Sequence, residues 1–249
     1  LVSADLRQST LAAADLTAAD LTEARLQDAD LSEAVLREAT LSGGQLADTD
    51  LTGADLTASS FHTALLPRAD LRETTLAGAS FRDADASEAD VRATDLSGAT
   101  FSGTDLSGAT LSTAGLVGVD LADCRFDGAS LREADLGEAT LTDVSLVDAD
   151  CTGCDLTGAT IHKSTLREAT LAAANLTDVE LTDSTLAGAD LGRSTMMAAT
   201  LADVDAREVD CTGATISEST LETTDLTDAV LTDATLADST VDHSTLSGA

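Results

Sequence analysis

The stretch Thr94–Ser112, TDLSGATFSGTDLSGATLS, repeats one five-residue phrase almost four times without a break. Extending that frame in both directions takes in the whole chain. Counting in fives from Leu1 to Leu246 gives 50 positions, all Leu, Phe, Ile, Val or Met except Ala86, Cys151, Ala206 and Cys211. Counting in fives from Ala4 to Ala249 gives another 50, all Ala, Gly, Ser, Thr, Cys or Val. All 58 charged residues fall in the remaining three columns, and no insertion or deletion shifts the frame. Repetition on this scale is the mark of a solenoid.

A period of five suits neither regular element by itself. On a helix, five residues advance about 500°, so the large apolar positions would smear around the cylinder. On a long strand, an odd period sends successive large residues to opposite faces. A short side followed by a corner resolves the conflict. In Ala4-Asp5-Leu6 the outer two residues point inward and Asp5 points out, and Arg7-Gln8 then turns the chain. Of the 17 glycines, 13 stand at the second corner position, where a type II turn needs positive φ. Other corners carry Asp or Glu there, which leads us to expect a second turn type. Pro67 also falls on a corner, where a fixed φ is tolerated.

This pattern, small–Asp–large–x–x, resembles that of the pentapeptide-repeat family over residues 1–249. The resemblance implies an all-β fold, a right-handed four-sided parallel β-helix with four pentapeptides per coil, forming a single unit over 1–249. At roughly 4.8 Å between stacked strands, that is about 12 coils and a rod of roughly 60 Å. Family members often carry a C-terminal helical segment that pairs two subunits; this chain ends in frame at Ala249, so the expected homodimer is one of end-on stacking. The chain begins in frame at Leu1 without Met, which suggests that sequence has been removed.

Several motifs have a chemical reading that packing outweighs. Cys151-Thr152-Gly153-Cys154 spells a redox or half-zinc spacing. Yet Cys151 and Cys154, like Cys124 and Cys211, occupy core columns, where free Cys acts as a small apolar residue. Four core thiols favour a reducing, cytoplasmic setting. His62, His162 and His243 lie in outward columns, and the first two, five coils apart, stand roughly 24 Å from one another. They cannot share a metal. No insertion forms a lid over any Ser-His-Asp set. The expectation is a protein that is not an enzyme, with no cofactor and no metal. Phe61, Phe81 and Phe101 recur every 20 residues and read as a core stack. No apolar run is long enough for a transmembrane helix.

The acidity is the one global signal. The net charge is −32, and the four sides of the inferred coil carry −9, −7, −7 and −9. Direct nucleic-acid binding is excluded by repulsion from phosphates. One reading is solubility, since a rod exposed on every side must stay dispersed. The sharper reading is mimicry: an acidic rod about as wide as duplex DNA fits a basic DNA-binding groove. The family resemblance implies such a role, because members bind DNA gyrase and topoisomerase IV and protect them from topoisomerase poisons. Asp30, Asp50, Asp70 and Asp90 form one candidate contact ladder in four successive coils, and Asp135 and Asp155 form part of another. The alternative is a protein–protein interaction scaffold with no gyrase binding. Thr rows such as Thr200, Thr220 and Thr240 form no regular two-Thr array.

Overall fold

From Asp5 onward, the residue before each large apolar position pairs in parallel with the residue 20 positions later: Asp5 with Arg25, Thr10 with Asp30, Asp15 with Val35, Asp20 with Thr40. Four pentapeptides therefore close one coil. The computed structural model describes residues 1–249 as a stack of such coils, with no helix. No helix of the molecule is therefore long and apolar enough to cross a membrane.

The stack is held by a ladder that can be followed donor by donor. The large residue's N–H donates to the next coil, as Leu6 does to the Arg25 carbonyl at 2.8 Å. The preceding residue donates to the previous coil, as Arg25 does to Ala4 at 2.9 Å. The second corner residue also donates forward, Gln8 to Gln27 at 3.0 Å, and the small residue closes the corner, Ala14 to Leu11 at 3.0 Å. The second corner residue has positive φ at every corner: 48–60° at 37 non-glycine positions and 65–81° at the 13 glycines. An acid at this position therefore does not change the turn, contrary to the sequence expectation.

A second corner geometry does exist, and serine hydroxyls serve it at several corners. On one side of the later coils the chain opens into a six-stranded parallel sheet of three-residue strands: β1 (Thr140–Thr142), β2 (Thr160–His162), β3 (Glu180–Thr182), β4 (Thr200–Ala202), β5 (Thr220–Glu222) and β6 (Thr240–Asp242). Register is direct, with Leu141 beside Ile161 and Ile161 beside Leu181. At several of these corners the small residue's N–H turns to a serine one coil on: Val144 to Ser164 Oγ and Ser164 to Ser184 Oγ, both at 3.0 Å. The adjoining side does the same, where Ala199 donates to Ser219 Oγ at 3.1 Å. Two of these hydroxyls donate back to a carbonyl 23 residues earlier, Ser164 to Leu141 and Ser219 to Met196, while Ser184 donates to Thr182. At these corners the buried N–H groups are thus paired rather than stranded.

Inside the coils lies one continuous apolar core of 73 buried residues, from Leu21 to Ala229. Fully burying a Leu side chain contributes roughly 1.5–3 kcal/mol, so the aligned columns supply the main driving force. Phe61, Phe81 and Phe101 stack as expected, with centroids 4.8 and 5.3 Å apart and planes 2° from parallel. The coil pitch sets that spacing.

Ser219 and Ser59 separate the two hydroxyl roles. Ser219→Ala should cost about 1–3 kcal/mol, because it strands the buried Ala199 N–H. Ser59 only donates to Leu56, whose carbonyl already accepts the Ser59 N–H, so Ser59→Ala should cost less than about 1 kcal/mol. Urea unfolding midpoints of the two variants measure the difference.

Candidate functional site

The ladder uses four of the five N–H groups in each tight pentapeptide. The first corner residue's N–H is left over. Wherever an aspartate precedes the large residue, its carboxylate accepts that donor, as Asp15 does from Thr17 and Asp135 from Gly137. This holds for all nineteen aspartates of the column, at 2.8–3.4 Å. Asn175 does the same for Thr177. At eight of these corners a Ser or Thr at the first position adds its hydroxyl, as Thr157 does to Asp155 at 2.5 Å. An Arg there folds back as a two-point clamp: Arg7 on Asp5, Arg72 on Asp70, Arg92 on Asp90 and Arg207 on Asp205.

These bonds hold carboxyls in the charged form. The Arg7 guanidinium brings Asp5 down to about 2. Arg72 and Arg92 lower Asp70 and Asp90, and the hydroxyls of Ser32 and Thr17 lower Asp30 and Asp15.

The proposed ladder is in register: Asp30, Asp50, Asp70 and Asp90 bridge in sequence, as do Asp135 and Asp155. Its charge differs from the sequence reading. Arg72 lies 2.5 Å from Asp70 and 3.5 Å from Asp90, and Arg92 lies 2.5 Å from Asp90. The later half of the ladder is thus ion-paired. The reading by single columns missed this, although the triplets Asp70-Leu71-Arg72 and Asp90-Val91-Arg92 carry the signal. Each of these aspartates also serves its own corner.

A different set of acids has no such duty. Twenty-two of the 45 carboxylates sit at the second corner position, at the apices, and all are exposed. Left-handed backbone favours Gly and tolerates Asp and Asn, yet ten of the 22 are Glu. Several stack like over like in successive coils: Asp28 and Asp48, Asp123 and Asp143, Asp183 and Asp203, Glu208 and Asp228. Stacked like charges are destabilising. Backbone geometry does not call for acids here, and side-chain hydrogen bonds reach only Asp48, clamped by Arg68, and Glu23, which accepts from Ser3.

Nothing on this surface assembles catalytic geometry. His162 Nδ1 meets Thr182 Oγ1 at 2.8 Å and Asp183 at 3.5 Å, so one nitrogen faces both groups and cannot relay between them. No three His, Cys, Asp or Glu side chains converge as metal ligands. Among the cysteines the structure corrects the reading of four free thiols. Cys124 and Cys211 are free and buried, and burial pushes both thiols up to about 12. Cys151 and Cys154 are buried in their core columns but joined in a disulfide. The signal was available: a β-turn brings its first and fourth Cα within 7 Å, and both side chains here point inward.

Two predictions follow from the aspartate bonds. Asp155→Asn should leave stability within about 0.5 kcal/mol, because an amide oxygen can accept the Thr157 N–H as Asn175 does for Thr177. Asp155→Ala should cost about 1 kcal/mol by chemical unfolding. Lowered carboxyl pKa values also fix the sign of the acid response. Stability from these groups is fully present above the unfolded-state value near 3.9 and is lost as pH falls through the folded values, which reach about 2 at Asp5. Circular dichroism should show the loss between about pH 4 and pH 2.

Comparison with known proteins agrees with this architecture. The family model for pentapeptide repeats (8 copies) matches residues 1–37, 34–72, 64–103, 76–112 and 210–248, and that for a pentapeptide repeat region matches 119–196. No curated protein matches the sequence. Among solved structures, HetL of the cyanobacterium Nostoc sp. strain PCC 7120, a pentapeptide repeat protein involved in heterocyst differentiation regulation, is 29% identical. That match covers 85% of this chain and 86% of HetL, with a TM-score of 0.42. A trypsin-treated form of QnrB1, a plasmid-mediated fluoroquinolone resistance protein, is 23% identical over 72% of this chain and 90% of its own, with a TM-score of 0.46. With family models matched over most of its length, the chain belongs to the pentapeptide-repeat family, as an all-β solenoid.

Proposed function

We propose that the protein is a non-enzymatic acidic binding rod. Its partner is a basic groove built for duplex DNA on a type II topoisomerase, DNA gyrase or topoisomerase IV, and occupying that groove protects the enzyme from its poisons. The observation that carries this reading is the set of 22 apex carboxylates, which the corners do not require and which surround the rod. Spread over a length of roughly 60 Å, they present the field of a polyanion without a nucleic acid's bases. A charged rod is complementary to a channel built for a charged duplex.

One observation favours the scaffold reading. The coil spanning 61–80 carries no net charge and exposes Leu65 beside Pro67. A neutral, partly apolar band suits a shape-matched protein surface better than a DNA channel.

A supercoiling assay with and without a quinolone separates the two readings. The mimic should compete with duplex DNA and alter supercoiling, and its effect should weaken steeply with added salt. Converting apex acids such as Asp28, Asp123, Asp143 and Asp203 to Gly should weaken the effect several-fold at unchanged fold. If micromolar protein leaves both enzymes unaffected at low salt, mimicry is lost and the scaffold reading stands.

A further inference from the structure

Only one corner of the rod carries cysteine at both ends, Cys151-Thr152-Gly153-Cys154. The tight turn sets the two Cα atoms 5.3 Å apart, within the range a disulfide spans, and the sulfurs are bonded. The surroundings also accommodate the reduced pair. Cys151 stands where its column otherwise places Leu in the neighbouring coils, and a void of about 10 Å³ lies beside it, walled by Leu136, Leu141, Leu156 and Ile161 among others. A released Cys151 sulfur has this space beside it. Cys154 Sγ lies 3.0 Å from the Leu131 carbonyl. The same relation holds between Cys124 Sγ and the Phe101 carbonyl at 2.9 Å, and between Thr104 Oγ1 and the Phe81 carbonyl at 2.8 Å. A Cys154 thiol would therefore find an acceptor that this column already uses for S–H and O–H donors.

We propose that this corner is a redox-responsive staple, closed by a low-molecular-weight disulfide and opened by the matching thiol. In closure, one cysteine thiolate attacks the small disulfide and releases one thiol. The second cysteine thiolate then attacks the mixed disulfide and releases the other. The protein loses two protons and two electrons, and the small disulfide takes up both to become two thiols. Both sulfurs are buried, so exchange waits on local opening of the exposed apex at Thr152-Gly153. Cys124 and Cys211 have no second cysteine to join, and their raised thiol pKa keeps them out of exchange. The response is thereby confined to one corner, on the side opposite the six-stranded sheet.

The test is to equilibrate the protein in glutathione buffers from fully reduced to fully oxidised, then alkylate after denaturation and map by mass spectrometry. Two alkylatable thiols should disappear on oxidation, both from the Cys151–Cys154 peptide, while Cys124 and Cys211 stay modified throughout. The oxidised protein should melt roughly 4–8 °C above the reduced one, since the crosslink restricts the unfolded chain. The variant Cys151→Leu/Cys154→Ala restores the usual residues of both columns and should fold and melt alike in both buffers. Four alkylatable thiols across the whole series would overturn the proposal. So would equal melting points for oxidised and reduced wild type, or an undiminished shift in the double variant.

Discussion

One leftover backbone donor organises this molecule. A parallel ladder with a corner every fifth residue satisfies four N–H groups per pentapeptide, through neighbouring coils and the turn itself. The fifth, at the first corner position, faces outward with no backbone partner at tight corners. An unpaired donor shielded from water is costly, so the residue two places earlier matters out of proportion to its exposure. Aspartate has the reach to accept it, and all nineteen aspartates of that column do. Part of the acidity is therefore backbone chemistry expressed as side chains. On the side that forms the six-stranded sheet, Val144 and Ser164 instead pass the small residue's N–H to a serine one coil on, and the strand lengthens to three residues.

Much of this was legible because the constraint is periodic. The columns of Leu and Ala set the coil, and the Phe61–Phe81–Phe101 spacing gave its length as soon as four sides were assumed. What escaped the reading lies between columns. The Arg72 clamp on Asp70 joins positions two apart in sequence, which column-by-column counting treats as separate lists. The pairing of Cys151 with Cys154 depends on the corner folding two inward residues together, a three-dimensional fact that an apolar-column argument passes over. The hydroxyl bonds at the opened corners depend on a contact 20 residues away. For the candidate site, register was legible and electrostatics was not: Asp30 and Asp90 share a column, but one is held by Ser32 and the other by Arg92.

A solenoid separates its fold from its surface more cleanly than a globule does. Each coil contacts only its neighbours, so a change at an apex does not propagate through a shared core. The two populations of carboxylate show the division. Aspartates before the large residue are anchored, directed at their own backbone and in several cases paired with arginine. Acids at the apices point outward with left-handed backbone beneath them, a conformation in which Glu is disfavoured and Gly is at ease.

That disfavoured choice bears directly on how the charge should be understood. If dispersal in water were the sole requirement, acids could occupy the first corner position, where no positive φ is needed. Only Asp127, Glu222 and Asp242 do so, and that position instead carries mostly Ser, Thr, Ala and Arg, many of them bonded back to the preceding aspartate. The first position is thus committed to the corner's own hydrogen bonds. The apex is the one outward station at which the backbone engages no carboxylate, and every acid there is exposed. Charge placed there meets a partner before any other part of the rod, and it can be exchanged for glycine with a gain in backbone comfort. The surface that would recognise a partner is therefore also the surface that the fold can most readily do without.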